Sequence, residues 1–336
     1  MDPVLPPKRS FLETISPRVY AGIGLAIICV CAAWLFVESR PVTNFVPNTL
    51  VRVNKNMSLS SVGALLQKQN IIRSTYLFRI AVTLSGKTST VNAGDYFFQT
   101  PLSVWQVADR LVHNEQGLTP ARVTFPEGTS VRGMSVILPS IFSSSTTGFA
   151  FDAKKFAALA STSEGYLFPD TYFFPPNVTA DTVVSTMKAT FNQRVKTINS
   201  QIVASHHSLG DVVIMASILE KEALTDTDRR IVAGVLWKRI ADGMPLQIDP
   251  PFAYALGKTS DALTTADLQV DSPYNTYRHK GLPPTPINNP GLEALTAAVN
   301  ASSTPYWFYL SDKKGVMHYA ATYEGHLANR AKYLGK

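Results

Sequence analysis

Met215-Ala216-Ser217-Ile218-Leu219-Glu220-Lys221-Glu222-Ala223 carries two carboxylates, two positions apart, at the end of an apolar helical run. Side chains three and four residues apart share a helix face. Glu220 shares its face with Ala216, Ser217, Ala223 and Leu224, whereas Glu222 falls with Thr225 and Asp226 of the following turn. Small and apolar neighbours strip water from a carboxyl, disfavour its charged form and favour a proton donor near neutral pH. By this pattern Glu220 is the candidate general acid and Glu222 is not. The plainer alternative for Glu220 is a helix carboxylate paired with Lys221 or Arg229.

Polar and aromatic groups suited to a sugar follow in order. Gln247 and Asp249 lie in a segment past the Gly243 break, where loop residues commonly line a cleft. Gln247 suits a hydrogen bond to a sugar amide or hydroxyl. Asp249 suits the same role, or a cap on the Pro250-Pro251 turn, and the cap is the favoured role. Tyr274, Asn275, Thr276 and Tyr277 combine flat rings with amide and hydroxyl groups, the materials for holding a pyranose. A turn stabilised by Asn275 is the structural alternative. Gly281 to Gly291 is proline-rich, so its loop is expected to be stiff and to hold that strip in place. His318, Glu324 and His326 lack the H-E-x-x-H spacing, so no metal is expected and the histidines are read as terminal packing.

These segments, together with Glu164-Gly165-Tyr166-Leu167-Phe168-Pro169-Asp170-Thr171-Tyr172 and Gly315-Val316-Met317-His318-Tyr319, resemble the MltG (YceG-like) family of endolytic murein transglycosylases. The resemblance covers most of the chain after residue 45. It implies cleavage of peptidoglycan glycan strands near the membrane, between N-acetylmuramic acid and N-acetylglucosamine. In that family the muramic 6-hydroxyl attacks its own anomeric carbon and leaves a 1,6-anhydro end, so one glutamate serves as acid and then base and no cofactor is implied. By its place in Glu-Lys-Glu, Glu220 matches the catalytic glutamate. Gln247, Asp249, Tyr274, Asn275, Thr276, Tyr277, Glu164 and Tyr166 are the implied substrate-binding set, with Glu164, Tyr166, Asp170 and Tyr172 as the far wall of a cleft. Each of those four suits a structural hydrogen bond equally well. Pro251 and Thr285 stand where relatives often carry threonine and glycine. The wall-synthesis machinery is a partner implied by the resemblance alone.

Two further readings stay open. Asp249 beside Glu220 would make a two-carboxylate glycoside hydrolase working through water. A non-catalytic glycan-binding scaffold would use Tyr96 and Trp105 instead.

The elements that must position these groups begin with Val19 to Val37, 19 residues without a charge, about the length of a membrane-crossing helix. Lys8, Arg9 and Arg18 precede it and only Arg40 closely follows, which places residues 1–18 in the cytoplasm and the rest outside the inner membrane. Trp34-Leu35-Phe36-Val37-Glu38 offers no small-x-small cleavage pattern, so the helix reads as a retained single-pass anchor. Cys29 and Cys31, both inside it, leave the exported part without disulfides, thiol nucleophiles or thiolate ligands. The formal charge of +7 is spread without a dense basic block, and no nucleic-acid partner is expected.

Residues 38–48 read as a linker. Residues 49–148 read as a small α/β module and connector, in which Ala93 to Phe98 followed by Val104 to Leu111 is similar to the LysM-like module of the family. The polar run Ser143 to Gly148 marks a loose boundary. Residues 149–336 read as the catalytic domain, with helices over Ala180 to Val195, Asp211 to Ala223, Asp228 to Ala241 and Pro290 to Val299 and a strand at Tyr306 to Leu310. The fold class is α+β, with an N-terminal transmembrane helix, a LysM-like module and a mixed α+β catalytic domain.

Overall fold

The computed structural model describes residues 17–85, 91–142 and 149–335. The chain divides into two compact units between Thr119 and Pro120. The polar run Ser143 to Gly148 and the tail before Pro17 lie outside the described residues. The division falls earlier than that run because strand β3 (Ala121–Thr124) pairs antiparallel with β4 (Thr171–Phe174), so the chain commits to the second unit's core soon after residue 120.

The first unit opens with helix α1 (Pro17–Ser39), of which Arg18–Ser39 has a mean hydropathy of 2.3 and the length and apolar composition to cross a membrane. Strands β1 (Thr49–Val53) and β2 (Gly94–Phe98) then form an antiparallel pair, with α2 (Leu59–Lys68) and α3 (Thr75–Ser85) between them and α4 (Val104–Val112) after. Ser58 starts α2 by accepting the Ser61 N–H, and Ser103 with Gln106 closes a reciprocal capping box on α4. Val51, Tyr96, Phe98, Leu66, Phe78 and Leu111 fill the core. Tyr96 and Phe97 are buried, whereas Trp105 remains 41% exposed.

In the second unit β3 leads to α5 (Val131–Phe142), α6 (Ala153–Ala160), β4, α7 (Ala180–Lys196) and α8 (Asn199–Ser205). Helices α9 (Leu209–Glu222), α10 (Asp226–Ala241), α11 (Pro250–Leu256) and α12 (Leu292–Val299) follow. The hairpin β5 (Phe308–Ser311) and β6 (Met317–Ala320), helix α13 (Tyr323–Asn329) and a π-helical turn at Arg330–Leu334 complete it. The mixed α+β expectation holds.

Helix α9 is the axis of this unit. Val212, Val213, Met215, Ala216, Ile218 and Leu219 are buried, and they surround the helix rather than forming one stripe. The Ser217 hydroxyl accepts the Ile287 N–H (3.1 Å) and the Ser217 carbonyl accepts Asn288 Nδ2 (2.7 Å), which bolts the proline-rich loop to α9. Gly165 supports the same loop from the other side. Its φ is +88°, and a Cβ there would meet the Pro286 ring at 2.5 Å. Ser208 caps the start of α9. Its last residue is Glu222, because Ala223 is extended (φ −140°, ψ 140°) and Thr225 already caps α10 through the Asp228 N–H.

Candidate active site

That stop decides which acid meets solvent. Glu222 has no following turn, so Thr225 and Asp226 belong to another helix and the polar neighbours expected for it do not exist. Its face looks back along α9 onto Ile218 and Leu219, both fully buried. Glu222 opens into a cleft of about 600 Å³, which is also lined by Arg239 of α10, the Gln247–Asp249 segment, Tyr277, β5 and the α13 region.

Burial pushes the Glu222 carboxyl up to about 7, with the nearby Asp249 charge adding to the rise and the Tyr309 hydroxyl and Arg239 opposing it. Its position at a helix C-terminus, where the backbone dipole disfavours an anion, works in the same direction as burial. Among the described residues the Tyr309 hydroxyl is buried without a geometrically sound hydrogen bond, and it stands close enough to Glu222 for each to shift the other. Burial, followed by the Glu222 charge, raises that phenol well above its ordinary value.

Arg239 pins two walls of the cleft together. Its Nε and Nη2 donate to the Trp307 carbonyl (2.9 and 2.6 Å), and Nη1 donates to the Leu246 carbonyl. Burial lowers its pKa, against the raising effect of Tyr309 and Glu222. The Asp249 side chain makes no cap bond to α11, contrary to the favoured capping role. It accepts the Tyr277 hydroxyl at 2.7 Å instead, since two prolines at the helix start leave few N–H groups to cap. Gln247 is exposed at φ +54° on the cleft wall. Its N–H reaches the Thr276 carbonyl (3.0 Å), while the Thr276 hydroxyl bridges both backbone groups of Ile248.

The other expected site residues divide differently. Of the Tyr274–Tyr277 strip only Tyr277 lines the cleft. Asn275 is fully buried, donates to the Leu268 and Val270 carbonyls (3.1 and 2.8 Å) and accepts the Tyr277 N–H, which is its turn-forming alternative. Tyr274 joins its hydroxyl to that of Thr285 (2.7 Å), so the proline-rich loop does hold the strip. The far wall is not formed by residues 164–172. Glu164 is buried, accepts the Val131 N–H at the start of α5, and takes Asn289 Nδ2 (2.9 Å) and the Tyr254 hydroxyl (3.1 Å). Burial raises it to about 7 against those donors. Tyr166 packs edge-on against Phe191, Asp170 pairs with Arg194, and Tyr172 donates to the Phe168 carbonyl.

Glu220 is held elsewhere. Its side chain is 5% exposed, with Oε1 accepting Arg229 Nη2 (2.8 Å) and Oε2 accepting the Gly291 N–H (2.9 Å) at the start of α12. This is the pairing alternative, and Glu220 does not line the cleft. His318 stacks on Tyr333 and meets Asp312 (3.1 Å), as terminal packing predicts. His326 instead lines the cleft, stacked on Phe308. Of the residues that line the cleft, sequence reasoning set Glu222 aside and singled out none of Arg239, Tyr309 and Arg330. For Glu222 the usable signal was the apolar Ile218 and Leu219 behind it.

The YceG-like family matches residues 51–332, and the chain belongs to that family. An endolytic murein transglycosylase of Bacillus subtilis (strain 168) is 29% identical over 312 residues, 85% of each chain. One of Streptococcus pneumoniae serotype 2 is 26% identical over 320 residues, spanning 84% of this chain and 58% of that one. Among solved structures, a YceG-like protein of Listeria monocytogenes superposes with a TM-score of 0.55 at 26% identity, over 83% of this chain and 98% of that one.

Proposed function

We infer that this protein is an endolytic lytic transglycosylase that cuts peptidoglycan glycan strands between N-acetylmuramic acid and N-acetylglucosamine, with Glu222 rather than Glu220 as the acid. The family and the activity named for its relatives support the reaction class. The observation that carries the residue is a half-buried carboxyl, raised to about 7, at the one cleft that also holds Gln247, Asp249 and Tyr277. Glu222 gives its proton to the bridging oxygen as the C1–O bond breaks. The 6-hydroxyl of the same muramic residue then bonds to C1, and its proton returns to the Glu222 carboxylate. The buried Arg239 charge stabilises that carboxylate between the two transfers, and Asp249, oriented by Tyr277, sets negative charge beside the sugar cation.

Gln247 is proposed as a sugar-binding residue on the cleft wall, with Thr276, Asn275, Tyr274, Glu164 and Tyr166 as its scaffold. The first unit is proposed as a LysM-like module whose Trp105 ring is open to a sugar face. The basic residues before the apolar run favour a cytoplasmic N-terminus with the chain after α1 outside, so that cutting is confined to strands near the membrane, within reach of the synthesis machinery. Asp249 in the same cleft gives the hydrolytic reading its one support. Product mass separates the two: digestion of uncrosslinked strands is expected to yield ends lighter by one water than reducing ends, and reducing ends alone would overturn the transglycosylase reading.

A further inference from the structure

The α13 region contributes Tyr323, His326 and Arg330 to the cleft. Spacings of three and four residues set them along one face. At Arg330 the helix widens into the π turn, a distortion that recurs at functional positions. Among the described residues the Arg330 guanidinium has no carboxylate within ion-pair distance and no hydrogen-bond acceptor, although it is only half-buried and its charge bears on His326. The other cleft arginine, Arg239, is consumed by the Trp307 and Leu246 carbonyls. Among the described residues the cleft thus keeps one uncommitted arginine. Its planar fork matches a carboxylate in two-point geometry. The N-acetylated sugar rings themselves carry no anion. On a wall strand, carboxylates sit on the lactyl ether of muramic acid when it is bare, or on the peptide that replaces it.

We propose that Arg330 is a substrate-binding residue that takes a carboxylate of the muramoyl substituent, making the cleft selective for acidic strands. This rests on the function inferred above. The subsite fixes the muramic residue by its substituent while Glu222 acts at its glycosidic bond, so it contributes chiefly to binding.

The test uses the full chain with Arg330→Gln and Arg330→Lys on three uncrosslinked strands: peptide-bearing, peptide-bearing with amidated carboxylates, and stripped to the free lactyl group. Arg330→Gln is expected to raise KM by about tenfold on the strand that supplies the carboxylate, by more than it lowers kcat, with Arg330→Lys intermediate. A selective loss on peptide-bearing strands identifies the peptide as the source, and one on stripped strands identifies the lactyl group. An equal loss on amidated strands, or none on any strand, overturns the proposal. Dissociation constants for the same strands, measured on a Glu222→Gln background with and without Arg330→Gln, give the same comparison without turnover. Failure of the subsite therefore remains distinct from failure of the reaction assignment, which would be absence of anhydro ends from the wild-type protein.

Discussion

Replacing each glutamate of Glu220-Lys221-Glu222 with glutamine separates the two roles, because the two side chains are held by different groups. Glutamine keeps the size of Glu222 but has no proton to give. General acid catalysis contributes roughly 10²- to 10⁴-fold, so Glu222→Gln is expected to lower kcat by at least about a hundredfold, about 3 kcal/mol in barrier, with little change in melting temperature. Glu220→Gln does the reverse. Its carboxylate neutralises Arg229, whose other partner, Glu293, is 71% exposed and therefore a weak substitute. Removing one charge of a buried pair costs about 3–5 kcal/mol, and the retained amide oxygen places this substitution near 3. For a unit of this size that lowers Tm by about 6 to 12 °C.

The assay is release of anhydro-ended fragments at a temperature where both variants remain folded, alongside thermal melts by circular dichroism. A general acid must be protonated to work, so kcat/KM of the wild type is expected to fall as pH rises through about 7, where Glu222 loses its proton. Tyr309→Phe removes an interaction that lowers the Glu222 pKa, so this limb moves to higher pH. The reasoning fails if Glu220→Gln abolishes turnover without loss of Tm while Glu222→Gln cuts at the wild-type rate.

Glu164 gives a stability test. Its carboxyl rises from an ordinary 4.5 to about 7, so the folded state holds a proton that the unfolded chain has lost between those values. Stability from this group is therefore full below about 4.5 and falls as pH rises to about 7, by up to about 3 kcal/mol, then stays level. Glu164→Gln is expected to flatten that part of the pH dependence in denaturant titrations at pH 5 and pH 8, and an unchanged slope would contradict the assignment. Trp105→Ala is expected to weaken retention on immobilised glycan strands several-fold while leaving kcat intact, as a stacked sugar contributes about 1 kcal/mol or more. Unchanged retention would leave the first unit as a spacer.

Much of the fold was legible because it is written in local patterns. The 19 uncharged residues of Val19 to Val37 lie within α1, and Ala180 to Val195 differs from α7 by one residue at its end. Helix α3 opens with the same device, the Ser74 hydroxyl accepting the Leu77 N–H (3.3 Å), yet its short apolar pattern is not singled out by the sequence analysis. The residues of the site were less legible, since their roles depend on contacts far along the chain. Asn275 and Glu164 have the chemistry of substrate-binding groups, yet their partners are carbonyls at 268 and 270 and donors at 131, 254 and 289. Arg239 reaches the Trp307 carbonyl across 68 positions, a distance that no periodicity reveals.

The assignment of the acid turns on a single backbone event. Helical spacing run forward from Glu222 assumes another turn, but the chain becomes extended at Ala223. Run backward, the same spacing gives Ile218 and Leu219 and marks Glu222 as the dehydrated carboxyl. Side chains on a helix lean toward its N-terminus, so for a residue in the last turn only the backward neighbours exist. Glu220 is equally sheltered, but two donors occupy its two oxygens, one of them a guanidinium. Burial alone therefore does not pick out the acid. What distinguishes Glu222 is burial together with an open cleft in front of it, a neighbouring carboxylate in Asp249 and the Tyr309 phenol close beside it.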